Sequence, residues 1–340
     1  MPLDIGIDMG TANTIIYANG AVVLQEPSVV VTDSEDGRPL NFGAEAFKMM
    51  GRTSDKMTVI KPIEHGVIAN HFEAESMLRY FLKKIGGNRM IKPRIMIAMP
   101  AGITAVQQRS FIYAVQEAGA RNICPIESPV AAALGMGIDF TKPYGTIVVD
   151  IGAGSTDVAV LSMGGLAQSE SVRIASSDFD EAIIKYVRKK YSVAIGAKTA
   201  ERIKMHIGSA VHRPIEITMK AKGLNFKTGL PQVFELTANE ICDAISDVSY
   251  GICKAVQVVL EKTPPELVGD IAKDGILLTG GGALLGGMCE LFERYMGVKT
   301  TLSENPLESV ARGIGVGMKN FDLLKNGDYE FKSLIDIASK

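Results

Sequence analysis

The chain has 340 residues, and its 36 basic and 38 acidic residues leave a formal charge of −2 and a pI near 6.2. That balance excludes a global pull on nucleic acid or anionic lipid, so any such contact must come from a local patch. With 46% hydrophobic and 22% charged residues, the composition is globular and ample for two cored lobes.

The first residues, MPLDIGIDMG, lack the basic start and apolar stretch of a signal peptide. Four cysteines without metal-type spacing (Cys124, Cys242, Cys253, Cys289) point to a reducing cytoplasm. In DIGIDMGTANTIIYA an apolar strand leads to Asp8, then Gly10, Thr11, Asn13 and Thr14, then a second strand. Glycine inside such a pattern marks either a plain hairpin turn or a loop whose N–H groups and hydroxyls face an anion.

Residues 73–94 begin as an amphipathic helix with Met77, Leu78, Phe81, Leu82 and Ile85 on one face, ending at Gly86 and Gly87. In the loop beyond, Met90 and Ile91 are framed by Arg89, Lys92 and Arg94, with Lys83 and Lys84 just before. An apolar pair among cations suits an anionic membrane surface, or else tucks under its own loop.

VVDIGAGSTDVAVL, residues 148–161, repeats the first device: strand, Asp150, glycines, the hydroxyls of Ser155 and Thr156, strand. Asp8 and Asp150 lie 142 residues apart, as expected of a duplicated pair of lobes closing on one polyphosphate. No G-x-x-x-x-G-K-[ST] occurs, which excludes a P-loop. The period-two DVAVL after GAGSTD, where a dinucleotide fold needs a helix, argues against a Rossmann site.

GAKTAERIKMHIG reads as a helix with an apolar stripe of Ala200, Ile203 and Ile207. Glu201 and Lys204 on the neighbouring face form either a surface ion pair or contacts to a ribose and base. Thr237 and Glu240 form a capping box for a helix over about 238–260. In DGILLTGGGALLGG a buried-looking strand runs into Gly280, Gly281 and Gly282, either a tightly packed strand-to-helix turn or a side-chain-free shelf for a flat ring or sugar.

In order and spacing these stretches resemble the actin and Hsp70 ATPase superfamily. From about residue 4 to 324 the chain is similar to MreB/Mbl-type bacterial actin homologues. Further matching stretches are EPSVV (26–30), HGVIAN (65–70), IESPVAAALG (126–135), KTGLP (227–231) and LEKTPPEL (260–267). The resemblance implies an α/β actin-like fold of two duplicated RNase H-like lobes, each with a smaller subdomain. Lobe I would span 1–144 (subdomain about 31–72) and lobe II 145–320 (subdomain about 178–240), with 321–340 returning to lobe I.

On that template Thr11, Ala12 and Asn13 form the first phosphate loop of an ATP site, and Gly152, Ala153 and Gly154 the second. Glu201, Arg202, Ile203 and Lys204, with Gly280, Gly281, Gly282 and Ala283, would hold ribose and adenine. Asp8 and Asp150 would hold Mg²⁺ through its waters. The implied partners are further copies in paired protofilaments, the inner face of the cell membrane, the cell-wall elongation machinery and paralogous relatives.

One departure bears on catalysis. The family usually reads I-E-E-P, and Ser128 replaces the second glutamate, which helps activate the attacking water; Ser155 keeps the hydroxyl of the water's other partner. Losing a general base costs ~10²–10⁴-fold in rate. The expectation is an ATP-binding filament protein that hydrolyses slowly, or a hydrolysis-deficient regulatory paralogue. Ala153, Ser176, Ser177 and Gln107 also differ from the usual family residues.

Overall fold

The computed structural model describes residues 4–86, 92–321, 324 and 329–332. Lobe I carries the strands β1 (Asp4–Met9), β2 (Asn13–Ala18) and β3 (Ala21–Pro27). A small sheet follows, of β4 (Val30–Asp33), β5 (Pro39–Phe42) and β6 (Met57–Ile60), with α1 (Gly43–Met49). A short hairpin of β7 (Ile63–Glu64) and β8 (Val67–Ile68) leads to α2 (His71–Gly86), β9 (Arg94–Met99), α3 (Ala105–Glu117), β10 (Asn122–Glu127) and α4 (Ser128–Gly135).

Lobe II contains β11 (Thr146–Ile151), β12 (Thr156–Ser162), β13 (Gly165–Val172) and α5 (Ser176–Tyr191). Then come β14 (Val193–Ala194), α6 (Ala197–Ile207), β15 (Thr218–Asn225), β16 (Pro231–Thr237), α7 (Ala238–Lys262) and α8 (Pro265–Asp274). The chain closes with β17 (Ile276–Thr279), α9 (Met288–Met296), β18 (Thr300–Leu302) and α10 (Ser309–Lys319).

The two large sheets have one plan. Lobe I runs β3-β2-β1-β9-β10 and lobe II runs β13-β12-β11-β17-β18, each an antiparallel meander extended by two parallel strands. Both sheets are covered by helices, so their inner strands are nearly continuous apolar runs. One core fills lobe I and a larger one fills lobe II. A third, including Met96, Ile126, Val130, Val148, Ala159 and Ile314, joins the lobes.

That joint is built on α4 and α10. A Cβ at Gly313 would collide with the Ala131 carbonyl, and one at Gly135 with the Ser309 carbonyl. The helices therefore approach backbone to backbone, and only hydrogen fits between them. The α7 capping box forms as the sequence predicts: Glu240 N donates to Thr237 Oγ1 (3.2 Å) and Thr237 N to Glu240 Oε2 (2.8 Å). Gln107, a departure from the usual glutamate, completes a similar box at Thr104. Among the described residues no helix is long and apolar enough to cross a membrane.

Candidate functional site

The two glycine-rich turns adopt the same hydrogen-bond plan. Gly10 N donates to Asn13 O (3.0 Å) between β1 and β2, and Gly152 N to Ser155 O (2.9 Å) between β11 and β12. Each turn is braced by a buried threonine at the same place in its hairpin. Thr14 Oγ1 shares a 2.9 Å bond with Ser28 Oγ, which donates to Gly10 O (2.7 Å), while Ser28 N donates to Ala12 O (2.9 Å). In lobe II, Thr156 Oγ1 donates to Ile174 O (2.7 Å). Ser176 N and Ser177 N, at the start of α5, donate to Gly152 O (3.0 Å) and Ala153 O (2.9 Å). Backbone supplies those last two bonds, so serines can stand where the family has Gly-Asp.

The turns meet across the lobes. A Cβ on Gly154 would overlap the Thr11 hydroxyl, so glycine lets the two hairpins touch. A third turn, His65–Gly66 between β7 and β8, sits on the junction with both residues left-handed (φ 49° and 76°). Gly66 N donates to Thr11 Oγ1 (3.0 Å), and a Cβ on Gly66 would press on Ser155 Oγ from lobe II.

Together they wall one cleft lined by Asp8, Gly10, Thr11, Ala12, Asn13, Ser128, Asp150, Gly152, Ala153, Gly154, Ser155, Asp157, Gly280 and Gly281, with Pro306, Leu307 and Val310 at one side. Gly280 belongs there because a Cβ would strike the Asp150 carboxylate. Three acids thus line one cleft, Asp157 buried and Asp8 and Asp150 partly buried. Burial, then the charge of Asp157, pushes Asp8 up to about 7. Burial, then Asp157 and Asp8, raises Asp150 well above the carboxylate range. Asp157 rises to about 6 through burial, although the Ala101 N–H (3.1 Å) and the Ser155 hydroxyl (3.3 Å) favour its charged form.

Such a cluster favours a cation over three free charges. Among the described residues no three or more His, Cys, Asp or Glu are grouped to cage a metal. Asp8 and Asp150, two carboxylates lining one cleft, would suit a hard ion held through its waters. Bound there, such an ion would neutralise charge on a phosphate tail.

The residues expected to hold ribose and adenine lie, apart from Gly280 and Gly281, outside the lining of this cleft. Ile203 is fully buried in the lobe II core. Lys204 does not pair with Glu201: its Nζ donates to Asp180 Oδ2 (2.9 Å), Ser176 Oγ (2.9 Å) and Ser176 O (3.1 Å). Glu201 and Arg202 are exposed, Gly282 and Ala283 are buried behind Gly280 and Gly281, and none of these lines the walled cleft. Met90 and Ile91 lie outside the described residues. Of the cations meant to frame them, Arg94 is bound to Asp4 by two bonds (2.8 and 2.6 Å) and Lys84 is paired with Glu26. Lys83 and Lys92 are exposed.

Ser128, the first residue of α4, is buried and faces the cleft. Its neighbour Glu127 does not line the cleft; its Oε2 accepts a 2.5 Å bond from the Tyr329 hydroxyl. The retained glutamate is thus committed elsewhere. Asp157, Ser28 and the His65–Gly66 turn were not singled out by sequence reasoning. Overlaying the two hairpins could have found Asp157, which faces Asp150 across its strand pair where Ile15 faces Asp8.

Two lobes of one plan, with paired hairpins meeting in the cleft between them, define an actin-like protein. Solved structures of that class match closely: MreB5 of Spiroplasma citri, in forms bound to ADP and to AMPPNP, superposes with a TM-score of 0.90 at 33% identity, over 96% of this chain and at least 98% of that one. A MamK double helical filament subunit shares the fold (TM-score 0.78, 19% identity, 92% of this chain and 98% of that one). The MreB/Mbl protein family model matches residues 2–326, and the chain belongs to that family. It is 43% identical over 327 residues to the cell shape-determining protein MreB of Escherichia coli K12, covering 94% of both chains. It is 39% identical over 323 residues to the cell shape-determining protein Mbl of Bacillus subtilis 168, covering 94% of this chain and 97% of that one.

Proposed function

We propose that this chain is an ATP-binding cytoskeletal subunit that polymerises into paired protofilaments at the inner face of the cell membrane. There it organises cell-wall synthesis and maintains rod shape. The observation that carries the reading is the contact of Gly154 with Thr11, which brings two copies of one anion-binding turn into one cleft. The ADP- and AMPPNP-bound forms of MreB5 support a nucleotide as the ligand. Asp8 and Asp150 fit a hydrated Mg²⁺ beside the phosphates, and the chain's own N–H groups and hydroxyls orient the tail.

Hydrolysis is slow in this reading. Ser128 offers a hydroxyl where a base is needed, and Glu127 is held by Tyr329. The same observation favours a second reading, a hydrolysis-deficient regulatory paralogue that co-assembles with an active relative. Pelleting with ATP, ADP and AMPPNP, with phosphate release followed in parallel, tests both. The leading reading predicts pelleting of the chain alone with ATP, and phosphate release that rises on the order of 10²-fold in Ser128→Glu. Pelleting only with an added relative favours the paralogue. Equal phosphate release in both proteins rules out Ser128 as the cause of slow turnover.

A further inference from the structure

Away from the phosphate turns, a side chain of α6 crosses from one lobe to the other. Lys198, in the first turn of α6, reaches from lobe II to lobe I, where its Nζ donates to the carbonyl of Phe47 (2.5 Å) and stands 4.3 Å from the centre of the Phe47 ring. Phe47 lies in the last turn of α1 and also accepts from Met50 N, so its carbonyl is at the negative end of that helix. An ammonium near the N-terminus of its own helix is unfavourably placed, whereas at the C-terminus of another it is stabilised. The lysine therefore gains by crossing and not by staying on α6.

Towards its other end α6 is tied to α5, whose first residue holds the second glycine-rich turn. Lys204 grips Ser176 and Asp180 on α5, and Ser176 N holds the Gly152 carbonyl. Lys61, from lobe I, lies close enough to Asp180 to act on it electrostatically. One helix thus links the bridge between the lobes, by way of α5, to the turn that would hold the phosphates.

We propose that Lys198 is a latch between the lobes that sets how fast a bound nucleotide leaves the cleft. This rests on the cleft binding a nucleotide, and adds a means of controlling its exchange that lies outside the phosphate-binding residues. An ammonium-to-carbonyl bond and a cation–π contact at a partly exposed site, lost together, amount to roughly a tenfold change in rate.

The test is release of a fluorescent ATP analogue from the full-length chain with Mg²⁺, chased by excess ATP. Lys198→Ala is expected to release it roughly tenfold faster. Lys198→Arg, which keeps a donor and a cation, should return the rate to near that of the unmodified chain, and Phe47→Leu, which keeps the carbonyl but not the ring, should fall between. Lys189→Ala, on exposed α5 surface, serves as the control. Equal release from Lys198→Ala and the unmodified chain overturns the latch. If the unmodified chain retains no analogue, the nucleotide reading falls instead. The latch is then judged by hydrogen exchange of the nucleotide-free protein over residues 47–51 and 197–201. Faster exchange in Lys198→Ala supports the bridge, and unchanged exchange overturns it.

Discussion

Asp8 is held in the cleft with its carboxyl pushed up to about 7, whereas in the unfolded chain it titrates near 4. Folded protein therefore binds that proton more tightly, and the stability it contributes in acid is lost as pH rises through the interval from about 4 to 7. Asp8→Asn removes the charge. In the nucleotide-free protein its melting temperature relative to the unmodified chain should climb from pH 5 to pH 7 and level off above, while its affinity for Mg²⁺–ATP falls. A melting difference that stays flat across those pH values would show that the carboxylate is not strained by its surroundings. The residue scale is also where sequence reading succeeds least evenly. Asp8, Asp150 and the small residues beside them are legible because glycine and hydroxyls interrupt a period-two strand. Asp157 sits in the same stretch but becomes a cleft residue only through its pairing with Asp150. Ser28 stands in the sequence only as part of the family-like EPSVV, and its hydroxyl's bond to the Gly10 carbonyl is a tertiary contact.

At the scale of elements, the duplicated hairpins and the capped α7 follow from local pattern, and both form at the expected places. The pairing of α6 does not: Glu201 and Lys204 share a helix face, yet Lys204 turns to Asp180 on α5, a choice set by tertiary packing. The cationic frame expected around Met90 and Ile91 is reduced in the same way, since Arg94 and Lys84 pair with Asp4 and Glu26. Helix packing gives a sharp test. A Cβ at Gly313 would strike the Ala131 backbone, which cannot move without moving α4. Gly313→Ala should cost about 1–3 kcal/mol or more in denaturant unfolding, as overpacking does. Gly269, within α8, has nothing within 4 Å of an added Cβ, so Gly269→Ala should be neutral or stabilise by up to about 1 kcal/mol. Equal effects from the two substitutions would mean that α4 and α10 do not meet as tightly as described.

For the whole molecule, near-neutral charge leaves no broad pull toward a membrane, and one small apolar loop would bind one only weakly. A polymer multiplies that weak contact by presenting many copies at once. Anionic liposomes should therefore pellet the chain only when it is polymerised, and replacing both Met90 and Ile91 by Ser should abolish it; undiminished pelleting of that variant would refute the loop as an anchor. The symmetry of the two lobes was visible from the repeat of one short motif 142 residues on. The third turn at their junction was hidden: HGVIAN enters the sequence reading only as a family-like stretch, and its bond to Thr11 appears once both lobes are assembled around it.

All of this depends on where a nucleotide's phosphates lie, and a crystal structure of the chain with Mg²⁺ and AMPPNP measures that directly. The β- and γ-phosphates are predicted within hydrogen-bonding distance of the backbone N–H groups of residues 10–13 and of residues 152–155 together. An ordered tail held by only one of the two turns, or a nucleotide bound elsewhere, would contradict it.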